Sequence, residues 1–245
     1  MVRTVDYVTR RRAVLAATIN KYIKEAEPVA SEEIAREFDL SPATIRNIFA
    51  DLERSGYLTH PYTSGGRIPT DKGYRYYVDF LVFQLELLDQ EKDFITSEYK
   101  RRIDRLEDIL EKTSEILSEV THYTCIVSFV EDEDKFFYRG ISRILDQPEF
   151  HDFNRTRSLI RFIEEKEQLL GLIGRDFKEK VKVYIGQELD NPEVKSCSLA
   201  VSRYSLKKKP AGKVAILGPV RMEYNHIIPT LEYISDVFSQ ALENI

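Results

Sequence analysis

Residues 41–69, SPATIRNIFADLERSGYLTHPYTSGGRIP, decide the fold. Ser41-Pro42 starts a helix: a side chain able to cap, then a proline at the first helical position, where its missing N–H does no harm. Ile45, Ile48, Phe49 and Leu52 recur at three- and four-residue spacing, the apolar stripe of a helix from Pro42 to about Ser55. Gly56 is placed as its left-handed stop. Ser41, Thr44, Arg46 and Asn47 therefore project elsewhere, all in the first turns. A helix that offers its polar N-terminal end in this way has the geometry of a recognition helix in the major groove. Arginine pairs with guanine and asparagine with adenine, so Arg46 and Asn47 are the candidate base readers. Asp51 and Glu53 fall further along, where such a helix leaves the groove.

Outward from this helix the pattern continues. Tyr57 to His60 reads as a short strand, and residues 61–69 as a glycine-rich hairpin with a second strand, a wing. Gly65 and Gly66 are expected to supply positive-φ positions at its tip. Arg67 is placed to reach a phosphate or a narrow minor groove. Thr70 and Asp71 cap a further helix carrying Lys72, Arg75, Tyr76 and Tyr77. Upstream, Val14, Leu15, Ile19, Tyr22 and Ile23 mark a helix from Arg10 to Ala26, which ends before Pro28. Ser31 is expected to N-cap a short second helix with Ile34, Ala35 and Phe38 inside. Residues 1–80 thus form a winged helix-turn-helix. Its candidate DNA contacts are Ser41, Thr44, Arg46, Asn47, Tyr62, Thr63, Ser64, Gly65, Gly66, Arg67, Lys72 and Arg75. The run Arg10-Arg11-Arg12 reads as a solvated helix end that can also grip phosphates without sequence choice. A protein-binding winged helix is the plainer alternative, and the polar, basic start of the third helix argues against it.

The whole chain has 245 residues, 42% hydrophobic and 31% charged, a globular composition with room for one large domain or two small ones. Its net charge of −5 is uneven: residues 1–75 hold 12 Lys/Arg against 10 Asp/Glu, and the remainder 24 against 31. A weakly basic head on an acidic body suits a DNA-reading module joined to a control domain. No apolar run is long enough for a bilayer, and the N-terminus lacks a signal peptide's apolar middle, so a cytoplasmic protein without membrane contact is expected. Cys125 and Cys197 lie in apolar, strand-like segments outside any CxxC pair and read as buried hydrophobes rather than a disulfide or zinc ligands. His60, His122, His151 and His226 are scattered, and no GxSxG, HExxH or P-loop motif occurs. Neither catalysis nor a cofactor nor a metal is expected.

The stretch AEPVASEEIAREFDLSPATIRNIFADLERSGYLTHPYTSGGRIPTDKGYRYYVD resembles the N-terminal domain of the heat-inducible transcription repressor HrcA family. ILDQPEFHDF, VYIGQEL, SCSLAVSRY and GKVAILGPVRMEY resemble the family's C-terminal signatures, in the same order. The resemblance implies a dimeric repressor of chaperone operons that binds an inverted-repeat operator, CIRCE. It also implies a GAF-like C-terminal part with an inserted dimerising domain, and dependence on the GroE chaperonin. One feature departs from the family. Between the 121–130 and 136–145 segments only the acidic run Glu131-Asp132-Glu133-Asp134 stands, so this is a compact member without the inserted region.

Residues 81–120 read as an amphipathic linker, one long helix or a broken pair, with Leu85, Leu88, Ile95, Tyr99, Leu106, Ile109, Thr113, Ile116 and Val120 on one side. Lys92, Arg102 and Thr113 spoil it as a coiled-coil seam. Two roles stand open: packing on its own C-terminal domain, or pairing with its twin in place of the lost insertion. Residues 121–245 are expected to form a GAF-like α+β regulatory and dimerisation domain. Its strands are expected at 124–130, 136–144, 182–185, 198–205 and 212–217, and its helices at 154–173 and 225–242. Arg221 could hold an anion at the start of the last helix, or lock that turn to an acidic neighbour. Phe150 and Phe153 make the 146–153 segment a packing corner. The rival function is a winged-helix regulator answering to a small molecule in this domain, unrelated to heat shock.

Overall fold

In the computed structural model, residues 6–61, 65–80, 87–99, 106–129, 136–207 and 209–243 are described. The first helix, α1 (Tyr7–Glu25), begins three residues earlier than expected because an aspartate caps it. Asp6 accepts from the N–H of Val8 at 2.7 Å and of Thr9 at 3.2 Å. Val29 then bridges to Arg67, with N–H···O bonds of 2.9 and 2.8 Å in the two directions. This extended residue leads straight into α2 (Ser31–Phe38), so Ala30 and not Ser31 takes the cap position. Alanine has no side-chain acceptor; instead the Glu33 carboxylate accepts the Ala30 N–H at 2.9 Å. Ser31 turns inward and is buried.

Helix α3 (Pro42–Arg54) starts as its sequence demands, with the Ser41 hydroxyl accepting the Thr44 N–H at 3.1 Å. Ile45, Ile48, Phe49 and Leu52 are at most 2% exposed. Burying four such side chains contributes roughly 1.5–3 kcal/mol each, so packing and not helix propensity holds this helix in place. Its polar side is therefore free to be chosen for reading. Two short strands follow, β1 (Leu58–Thr59) and β2 (Ile68–Pro69), antiparallel with Leu58 opposite Pro69. Next comes α4 (Asp71–Phe80), capped by the Thr70 hydroxyl, which accepts from the Gly73 N–H at 3.1 Å and donates to Gly56 O at 2.7 Å.

These elements lie in the first of two compact units, Met1–Phe83; the second is Gln84–Ile245. The boundary bears on the stretch read as a linker. Its described parts are two helices, α5 (Asp89–Tyr99) and α6 (Leu106–Thr121), and α6 packs on the second unit's own sheet and last helix. Thr113, which spoiled the coiled-coil seam, is buried, donates to Ile109 O and receives the Tyr99 hydroxyl, both at 2.7 Å.

The sheet of the second unit is antiparallel throughout, in the order β4-β3-β7-β6-β5. Its strands are β3 (Thr124–Phe129), β4 (Phe136–Arg139), β5 (Val181–Ile185), β6 (Cys197–Leu206) and β7 (Lys209–Pro219). One face carries α7 (Ile141–Leu145), α8 (Phe153–Glu164) and α9 (Lys166–Gly174), whose Ile144, Leu159, Phe162 and Leu169 meet Ile126, Leu199, Val201 and Ala215. The other carries α6 and α10 (Tyr224–Leu242), where Ser198 meets the Tyr224 hydroxyl at 2.8 Å and Tyr204 packs on Phe238 with ring centroids 4.4 Å apart. Both faces are covered, so β6 and β7 are buried along most of their length, Ser198 and Ser202 included.

Two expected elements divide. The 136–144 strand stops at Arg139, because Gly140 turns the chain at φ 82° into α7. The 154–173 helix breaks at Glu165 (φ −80°, ψ 75°) into α8 and α9. An unbroken helix would carry Lys166 into the stripe that runs through Leu159, Phe162, Ile163 and Ile173.

Candidate nucleic-acid interface

The start of α3 presents its polar side to solvent: Ser41, Arg46 and Asn47 are exposed and Thr44 half-buried. The cap orders this end, since Ser41 Oγ also meets Thr44 Oγ1 at 2.8 Å. Arg46 folds back along its own helix, with Nε donating to Pro42 O at 3.3 Å. Beside it a cleft of about 410 Å³ is lined by residues 29–32 and by Arg46, Phe49, Gly65, Gly66 and Arg67. Glu32 also borders this cleft. Its carboxyl is held below the usual range, first by its own backbone N–H, then by the Ser31 hydroxyl, with Arg46 and Arg36 adding attraction.

The wing is fastened to this edge through its backbone. A Cβ on Gly66 would lie 2.6 Å from the carbonyl oxygens of both Pro28 and Val29. The glycine is thus required by close approach; its φ is not positive, contrary to the expectation of a left-handed tip residue. Tyr62, Thr63 and Ser64, also expected contacts, lie outside the described residues.

Arg67 is not an open-ended arm. Its Nη1 donates to Gly65 O at 3.0 Å, and its Nε lies 3.0 Å from Glu53 Oε1, an ion pair without hydrogen-bond alignment. The same carboxylate oxygen meets His60 Nδ1 at 2.7 Å. Glu53 on the back half of α3 therefore ties both strands of the wing to the recognition helix. Sequence reasoning set Glu53 aside as an acid beyond the groove. Its spacing of seven from His60 carried no helical or strand signal that would have paired them.

The remaining cations divide by place. Lys72 donates to Ser55 O at 2.9 Å and stands 5.0 Å over the Tyr57 ring, at the opposite end of α3 from Ser41. Arg11 reaches the same end, donating to Asp51 O at 3.4 Å and to the Ser55 hydroxyl. Two cations thus complement the negative end of the α3 dipole, so Arg11 has a structural partner that the reading of a solvated arginine run did not foresee. Arg75 pairs with Asp79 one turn on, at 3.2 Å.

In the second unit Arg221 is nearly buried and engaged. Nε meets Glu149 Oε1 at 2.5 Å, and Nη2 meets Glu149 Oε2 at 3.1 Å and Gln147 Oε1 at 3.0 Å. Of its two sequence readings, this is the lock on an acidic neighbour. Cys125 and Cys197 are free thiols, fully buried, with burial pushing both up to about 12. Among the described residues no three His, Cys, Asp or Glu side chains are grouped to hold a metal ion, and no helix is long and apolar enough to cross a membrane.

Comparison with known proteins gives two family matches. Residues 7–78 match the winged helix-turn-helix transcription repressor, HrcA DNA-binding family, and residues 128–228 match the HrcA protein C-terminal domain. The heat-inducible transcription repressor HrcA of Pelotomaculum thermopropionicum is 28% identical over 337 aligned positions, covering 96% of this chain and 97% of the relative. That of Geobacter sulfurreducens is 29% identical over 338, covering 97% and 99%. These alignments are far longer than the 245 residues present, so the relatives hold sequence with no counterpart here. A crystal structure titled only as a hypothetical protein shares the fold, with TM-score 0.80, 18% identity and coverage of 96% and 98%.

Proposed function

Because the chain belongs to the HrcA family of heat-inducible transcription repressors, we propose that it represses by reading an inverted-repeat operator as a pair, with the first turns of α3 in the major groove of each half-site. The supporting observation is the split of α3: Ile45, Ile48, Phe49 and Leu52 inside, and Ser41, Thr44, Arg46 and Asn47 offered outward at its N-terminal end. Arg46 and Asn47 read base edges. Ser41 and Thr44 hold the entering turn against the backbone. The wing, residues 62–67, follows the adjacent phosphates, where Arg67 exchanges Glu53 for phosphate oxygen. Lys72 and Arg75 add electrostatic attraction from α4. Two copies are needed because the two halves of an inverted repeat are related by a two-fold axis. The protein acts in the cytoplasm, and the family's link to the GroE chaperonin extends to it as part of this reading.

Selection of bound DNA from a random pool by the purified protein tests the proposal. Recovery of a CIRCE-like inverted repeat is expected. An unrelated palindrome would reject the heat-shock operator, and the absence of any enriched sequence would reject base reading by α3.

A further inference from the structure

One carboxylate oxygen in the first unit serves two side chains that can carry positive charge. Glu53 Oε1, on α3, lies 2.7 Å from His60 Nδ1 and 3.0 Å from Arg67 Nε. An ionised carboxylate only accepts, so the shorter contact puts a ring hydrogen on His60 Nδ1 and leaves Nε2 as the position for a second proton. His60 follows β1 and Arg67 precedes β2, so one acid stands between the two strands of the wing. Glu53 is 21% and Arg67 25% exposed, whereas His60, at 45%, is open to proton exchange with solvent. The neighbouring charges are engaged elsewhere. Arg54 pairs with Asp51 on α3 itself. From α1, Arg11 donates to Asp51 O; from α4, Lys72 donates to Ser55 O and Arg75 pairs with Asp79. Among the described residues, Glu53 and Arg67 are therefore the charges set against His60, the one histidine in the sequence of the first unit.

We infer that His60 is a positioning residue for DNA binding. It takes over the Glu53 carboxylate when Arg67 leaves for phosphate, and does so as the imidazolium, so that binding takes up a proton. The inference rests on the reading of Arg67 as a phosphate contact. In the free protein Arg67 already neutralises Glu53, and a second cation on the same oxygen would face Arg67 at close range. Once Arg67 has moved, Glu53 keeps only the Nδ1–H bond of a neutral ring, and the phosphates beside the wing add negative potential. Both changes favour the charged ring. The DNA-bound state then holds more protons on His60 than the free state. By linkage, affinity rises as pH falls through the imidazole range and is lost as pH rises through it. With His60 charged, Glu53 is compensated beside DNA, which lets an acid sit next to a wing that grips phosphate. The uptake follows phosphate contact and not base reading, so it accompanies binding to any duplex.

Fluorescence anisotropy of the full chain on a mixed-sequence duplex, from pH 8 to pH 6 at fixed ionic strength, tests this coupling. The parent is expected to bind at least about threefold more tightly at pH 6, within the limit of about tenfold per pH unit for one proton. His60→Gln keeps a donor for Glu53 but cannot gain charge. It should lose that difference although His122, His151 and His226 remain. Glu53→Gln removes the shared carboxylate and should lose it too, with tighter binding at pH 8 because Arg67 starts without its ion pair. Calorimetry in buffers of different ionisation heat should read a proton uptake in the parent that both variants lack. A pH profile and proton uptake identical in His60→Gln and the parent overturn the inference. If random-pool selection enriches no sequence while this linkage holds, base reading by α3 fails and the coupling stands. A protein that binds no duplex at either pH rejects both.

Discussion

Gly66→Ala separates the wing from the rest of the winged helix without touching a candidate DNA contact side chain. The added Cβ would sit 2.6 Å from Pro28 O and from Val29 O, both backbone atoms that cannot swing aside. Relief to an ordinary carbon–oxygen contact requires the strand to retreat by about 1 Å. That lengthens the 2.9 and 2.8 Å bonds between Val29 and Arg67 beyond hydrogen-bonding range. Two backbone hydrogen bonds are worth about 1 kcal/mol each, and alanine returns about 0.4–1 kcal/mol through the stiffer unfolded chain. The net loss is about 1–2 kcal/mol, a fall of about 5–10 °C in the melting point of a unit this size. Far-ultraviolet circular dichroism on heating reads the melting, and fluorescence anisotropy reads operator binding, which should weaken as the wing detaches. Gly171→Ala is the counterpart: it lies in α9 with nothing within 4 Å of its added Cβ. It should raise stability by about 0.5–1 kcal/mol. A Gly66→Ala protein that melts and binds like the parent would refute the close-approach argument.

Four further outcomes are expected. Arg46→Ala and Asn47→Ala should each lower operator affinity by about 1–3 kcal/mol with an unchanged melting curve; unchanged affinity in both would remove α3 from the groove. Arg67→Ala should weaken binding evenly across sequences and reduce the salt slope by about one, and loss of a single base preference would make Arg67 a specific reader. Arg221→Met leaves the partly buried Glu149 unpaired and should destabilise the second unit by about 3 kcal/mol in urea titrations; an unchanged midpoint would return Arg221 to the role of anion ligand. Burial raises Cys125 and Cys197 from 9.0 to about 12, so both stay protonated and unreactive to iodoacetamide at pH 8 until the chain unfolds. Above pH 9 the unfolded thiols ionise first, so each costs about 1.4 kcal/mol of stability per pH unit up to its folded value. Rapid native labelling would contradict that burial.

The recognition helix was legible because its signals are local. Ser41-Pro42, the 45-48-49-52 stripe and Gly56 each act within one or two turns, and they left Arg46 and Asn47 on the polar side by geometry alone. The β-alternation of the second unit was legible for the same reason, down to β5, β6 and β7. Where a break depended on what the next element had to cover, as at Gly140 and Glu165, periodicity ran past it. Ser31 as a cap failed in the same way, since the bridge from Val29 to Arg67 moved the start of α2 by one residue.

What the sequence by itself determined was therefore the elements of the winged helix and most strands of the second unit, the polar face of α3 and, through its motifs, the family. Tertiary structure decided what those side chains are doing. It joined Glu53 to His60 and Arg67, Arg11 and Lys72 to the end of α3, and Arg221 to Glu149 across 72 residues. It also drew α6 into the second unit's core and left Phe153 and Ile160 bare on α8. The physical reason is range. Caps and stripes are satisfied by neighbours three and four residues away, whereas an ion pair or an uncovered apolar face is defined only by what the folded chain brings beside it, or fails to.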